Sequence, residues 1–150
     1  MMKKALFTIL LVLVMAATVA PVRAAQWDYV FVTFTGSSSN VPGVTTFELF
    51  IQYQASGTKV NIQATLLALG GNPPVALTGS GDIESDGTID SFNLTGSTST
   101  WYSSHTYDFD FNIDSKDAKV TTTGSYSSAY GNTITNTYVF EGTWDLQSCP

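Results

Sequence analysis

The chain has 150 residues; 43% are hydrophobic and 12% charged, with 6 Lys+Arg against 12 Asp+Glu, one His and one Cys. A charged share near half the usual ~25% excludes a coiled coil or a charge-driven disordered tail. Sparse Lys and Arg exclude a nucleic-acid-binding surface, and a single Cys excludes an internal disulfide framework and a cysteine-based zinc cage.

The first segment, Met1 to Ala24, has the pattern of a secretory signal peptide. Lys3 and Lys4 supply the positive start, Ala5 to Ala20 is an uncharged, mostly apolar run, and Val22-Arg23-Ala24 follows Pro21 as a cleavage junction. The run is shorter than the ~20 residues that span a bilayer, so cleavage is expected rather than anchoring. Residues 25–150 would then form a single domain, secreted or periplasmic, with no membrane association after cleavage. Its three cations, Lys59, Lys116 and Lys119, face all twelve acids, a net charge of −9 before the termini and His105. Such acidity favours solubility and disfavours anionic membranes and nucleic acid.

From there on the recurring period is two, the mark of strands with one buried face. Eight antiparallel strands are predicted near 26–35, 44–55, 58–69, 75–84, 88–96, 99–114, 117–127 and 133–147. Gly36 to Gly43 has the composition of a loop; Ser56-Gly57-Thr58, Gly70 to Pro74 and Asp86-Gly87 are turn candidates, and Pro73-Pro74 cannot lie inside a central strand. The clearest alternation is Trp101 to Asp114. There His105, Tyr107, Phe109, Phe111 and Ile113 oppose Thr106, Asp108, Asp110, Asn112 and Asp114. Short connections without a crossover helix predict an all-β, up-and-down meander closed, or nearly closed, into a barrel. A two-sheet β-sandwich is the alternative.

Asp82 to Asn93 resembles an EF-hand calcium loop over its first nine positions, with Asp82, Glu84, Asp86 and Asp90 as oxygen ligands and Gly87 at the sharp turn. It departs at the last position, where Asn93 replaces the bidentate glutamate, and it lacks flanking helices. A hairpin turned at Ser85-Asp86-Gly87 is the simpler expectation, so no cofactor is expected; any ion held there would be calcium. Asp108, Asp110, Asn112 and Asp114 form a second acidic set on one face of one strand, with successive carboxylates roughly 6.5–7 Å apart. A solvated outer face is expected there, with a weak cation site as the alternative.

His105 is the one candidate catalytic residue, with Ser103 and Ser104 nearby, but no Gly-x-Ser-x-Gly elbow follows Ala24. Aromatic side chains offer more. Trp101, Tyr102, His105, Tyr107, Tyr126, Tyr130 and Tyr138 are the candidate ligand-binding residues, because flat rings with polar handles stack on sugars or enclose apolar ligands. Trp101, Trp144 and Tyr138 are expected in the core; Tyr102, Tyr126 and Tyr130 are expected at the surface. Cys149, one residue from the end, is a candidate for an intermolecular disulfide and hence a linked homodimer. The sequence thus points to a non-enzymatic binding or surface-interaction domain whose partner is a small molecule, a glycan or a protein surface. The alternatives are a lipocalin-like carrier barrel for an apolar molecule and a small hydrolase using His105.

Overall fold

In eight segments apolar side chains recur at alternate positions for part or all of their length, and such segments can bury one face by pairing into a sheet that curls around it. The computed structural model describes residues 27–67 and 73–147. They form strands β1 (Asp28–Ser38), β2 (Val41–Ser56), β3 (Lys59–Leu66), β4 (Val75–Asp82), β5 (Ser91–Ser99), β6 (Ser103–Asn112), β7 (Asp117–Ser127) and β8 (Thr133–Gln147). Each pairs antiparallel with the next and β8 returns to β1, so the meander closes into a barrel, not a sandwich. The predicted leader Met1 to Ala24, the Gly70 turn and Cys149 lie outside the described residues.

Closure depends on two seams. At the β4–β5 seam only Thr78 to Ser80 pair, with Thr95 to Asn93, and a Cβ on Gly79 would sit inside the Asn93 carbonyl. At the β8–β1 seam a Cβ on Gly142 would collide with the Thr35 carbonyl. Glycine at both places lets neighbouring backbones approach where the wall turns. The seams lie four strands apart, so β1–β4 and β5–β8 act as facing walls.

The walls meet through their inward residues. Phe47 on β2 contacts Phe109 and Phe140 edge-on across the interior, at centroid distances of 5.7 and 5.6 Å. Within the β5–β8 wall, Phe92 stacks on Phe111 at 4.6 Å, and the Trp144 indole donates to the Asn112 carbonyl at 2.8 Å. Outward positions on the same strands are mostly Ser, Thr, Asn, Gln and Asp.

Turn chemistry follows the residues. Ser56 pairs with Lys59 across Gly57-Thr58, with Gly57 at φ 63°. Among the described residues Lys116 is the one non-glycine with positive φ, so Thr58 is not left-handed and the turn is of type II′. The predicted loop at Gly36 to Gly43 is corrected: β1 runs on to Ser38 and β2 begins at Val41, joined by Ser39-Asn40. Hairpin pairing outweighs the loop-forming composition there, and Pro42 is tolerated because β3 pairs with β2 only from Leu49 onward. The predicted strand at 99–114 is also shortened. It starts at Ser103, because the Thr100 amide donates to the Ser103 carbonyl (2.7 Å) and closes a turn over Trp101 and Tyr102.

Candidate binding surface

The two ends of the barrel differ because the two walls differ in length. At one end the β4–β5 and β6–β7 connections fold Ile89 and Ile113 back as buried residues, beside Trp144 and partly buried Leu146. At the other end β1 and β2 stop at their hairpin, and β8 pairs with β1 only from Glu141 to Gln147. β6, β7 and the first half of β8 continue as an open sheet, paired out to Ser103–Tyr126 and Ser127–Thr133. This overrun forms one side of the barrel mouth.

Its inward face carries the residues singled out by sequence. Tyr107 and Tyr138 are half-buried and pack against the core. Burial, and secondarily the nearby Tyr126, push the Tyr107 hydroxyl above its ordinary pKa. His105 lies over Gly124, where a side chain would come within 3.1 Å of Nδ1, and its ring meets Tyr126 edge-on at 5.4 Å. The Ser103 hydroxyl is engaged by Thr100 at 2.9 Å, and Ser104 points to the outer face. No serine–carboxylate arrangement is built around His105 among the described residues.

Among the described residues the rim is aromatic and exposed. Tyr102 and Tyr126 are exposed as expected, and Tyr130 is 94% exposed at the tip of the β7–β8 hairpin. Trp101 corrects the expectation that placed it in the core: it is 93% exposed, because the alternation of β6 does not extend into the Thr100–Tyr102 turn. It lies edge-on to Tyr102 at 4.9 Å. Together they border an open cleft of about 510 Å³ with Ser127, Ser128 and Ala129, a lining of rings and hydroxyls without a charge. Ile134, also exposed, pairs with Tyr126 across β7 and β8. Sequence reasoning passed over Ser127, Ser128 and Ile134; only the position of Ser127-Ser128 two residues before Tyr130 hinted that hydroxyls would flank the rings.

The acidic sets fall elsewhere. Asp82 pairs with Lys59 at 3.4 Å. Asp86 accepts from the Thr88 hydroxyl (2.7 Å) and amide (3.0 Å), bonds that hold its carboxyl below the ordinary carboxylate range. Glu84 and Gly87 close the turn, with the Gly87 amide donating to the Glu84 carbonyl at 2.9 Å. Among the described residues no three His, Cys, Asp or Glu side chains group as a metal site. On the outer face, the Asn93 amide nitrogen donates to both Asp108 (2.7 Å) and Asp110 (2.8 Å), easing their repulsion. A broad outer groove of about 870 Å³ runs past Asp82, Glu84, Asp90, Asp110 and Glu141, with Lys119 beside them.

Inside the barrel, the described residues enclose an apolar void of about 50 Å³, bordered by Val32, Ile51, Val60, Ile62, Phe92 and Trp144. No protein-family model, curated protein or solved structure matches the chain.

Proposed function

We propose that this protein is an exported, non-enzymatic binding domain that holds a neutral glycan against its aromatic mouth. The observation that carries this reading is the cleft of Trp101, Tyr102, Ser127 and Ser128. Exposed rings offer flat apolar faces to the C–H side of a sugar, and the serines offer hydroxyl partners to its edge. An uncharged lining favours neutral sugars over anionic ones, which would also be repelled by the chain's acidity. Trp101, Tyr102, Tyr126 and Tyr130 are all exposed at this end, and contiguous exposed apolar groups are the usual mark of an interaction site.

Two further features support binding at the surface. Pockets that carry small molecules hold roughly 300–1,000 Å³, and the interior void is far smaller. The outer wall is mostly polar, apart from the Tyr29, Phe31 and Phe50 rings on β1 and β2, whereas transmembrane barrels carry a continuous apolar band outside.

Native electrophoresis through gels cast with soluble neutral polysaccharides (mixed-linkage glucan, xylan, mannan) tests the reading. Retardation in at least one gel is expected, lost in Trp101→Ala and weakened in Tyr102→Ala. Unretarded migration in all three, with unchanged tryptophan fluorescence, would refute it.

A further inference from the structure

Where β8 overruns the barrel it is an open sheet edge. It pairs with β7 along its whole first half, but no described strand lies on its other side from Thr133 to Phe140. Every residue from Thr133 to Thr137 is exposed, and Ile134 is 60% exposed. Natural sheets protect such edges with charge, proline, a bulge or brevity. The segment Thr133-Ile134-Thr135-Asn136-Thr137-Tyr138-Val139 has none of these: it is uncharged, proline-free and rich in β-branched residues. The opposite edge of the overrun, on β5 beyond Gly96, spans only Ser97 to Ser99.

We propose that this edge is a dimerisation surface, occupied by the same edge of a second copy in antiparallel register about Asn136. The segment is close to a palindrome in side-chain character. Centred on Asn136, the pairing sets Ile134 against the partner's Tyr138 on the mouth side and Thr135 against the partner's Thr137 on the outer side. Asn136 meets the partner's Asn136 at the two-fold axis. β-Branched–aromatic and Thr–Thr pairs are among the favourable cross-strand combinations, and no like charges are brought together. That matters in a chain with a net charge of −6, where most other surfaces would repel their copies. The outer hydroxyls already interact in this manner within one copy: Thr137 meets Thr123 at 3.1 Å and Thr135 meets Ser125 at 3.0 Å. Pairing extends that ladder through a continuous sheet and satisfies every second backbone N–H and C=O of the segment. The two-fold closes at two copies, since each edge is consumed by its partner.

This inference does not depend on what the mouth binds, nor on Cys149. Asn136 lies about 36 Å of strand from Gln147, so the two copies of Gln147 stand far from the axis on opposite sides.

Sedimentation velocity of the purified chain in reductant, which keeps Cys149 a thiol, tests it. A concentration-dependent dimer is expected. Asn136→Lys and Asn136→Asp, each placing like charges face to face, should raise the dimer dissociation constant about tenfold or more, and an equimolar mixture of the two should restore the dimer. In the wild type, half of the amides between Thr133 and Val139 should exchange more slowly as concentration rises, a readout that needs no variant. A wild type that stays monomeric at several hundred micromolar, a dimer indifferent to both substitutions, or growth beyond two copies would overturn the proposal.

Discussion

The two ends of the barrel use the same kinds of side chain and give them opposite fates. At the closed end Trp144 is 3% exposed, ringed by Phe92 and Phe111 and hydrogen-bonded through its indole. At the open end Trp101 is 93% exposed against a single neighbouring ring. Intrinsic hydrophobicity does not separate them. The closed end has a facing wall and turns that return Ile89 and Ile113 to it, whereas the open end has β6, β7 and β8 continuing past the last residue of β1. Trp101 stands in the Thr100–Tyr102 turn outside the alternation of β6, while His105, Tyr107 and Tyr126 on the inward face of the overrun keep part of their surface in water because the opposite wall has stopped.

The largest test of this contrast is truncation at the closed end. Trp144→Ala removes a buried ring and leaves the Asn112 carbonyl without its donor, so a loss of about 3–5 kcal/mol is expected in urea unfolding. Phe47→Ala should cost a similar amount, since that ring joins the two walls. A loss below about 1 kcal/mol at either site would mean that the interior is not packed as described.

Next in size are the seams. Gly142→Ala places a methyl group against the Thr35 carbonyl and must push β1 from β8, at about 1–3 kcal/mol. Since that seam ends where the overrun begins, the same substitution should loosen the mouth, read as faster amide exchange in β8 above Glu141.

Alkaline pH probes the closed end through Tyr53. Tyr53 is a buried residue near the closed end, and burial, with a further contribution from Asp28 beside it, pushes its hydroxyl up to about 12. The neutral phenol is the form the fold holds. Its contribution is therefore full below the ordinary value of 10.0 and disappears as pH rises through about 12, while the unfolded chain ionises first. Stability should fall between those limits, and Tyr53→Phe should flatten that part of the profile. An unaltered slope in Tyr53→Phe would assign the alkaline transition to other groups.

Much of this architecture is legible along the chain. The bounds of β7 and the start of β8 coincide with the alternating runs at 117–127 and 133–147, because the connection between them holds residues that turn readily, such as Gly131 at φ 83°. What escapes is relational. Gly36 to Gly43 has loop composition, yet pairing across the hairpin draws all but Ser39 and Asn40 into strands. The bridge from Asn93 to Asp108 and Asp110 spans fifteen and seventeen residues and exists only in the observed β5–β6 register. Above all, the open mouth follows from Ser37 facing Glu141, a register between the first and last strands. No local pattern around Ile134 encodes where the opposite wall stops.

The smallest expected effect bears on the mouth itself. Trp101→Ala should change unfolding free energy by no more than about 0.5 kcal/mol, because the ring gives up little contact with the barrel. The same substitution should remove the tryptophan fluorescence most accessible to acrylamide, since Trp144 is shielded and Trp27 is only partly exposed. Stability retained with quenching reduced would establish the ring as a surface feature that folding does not require. A destabilisation near that of Trp144→Ala would instead mean that the Thr100–Tyr102 turn folds onto the mouth in solution, and the two ends would then differ in degree alone.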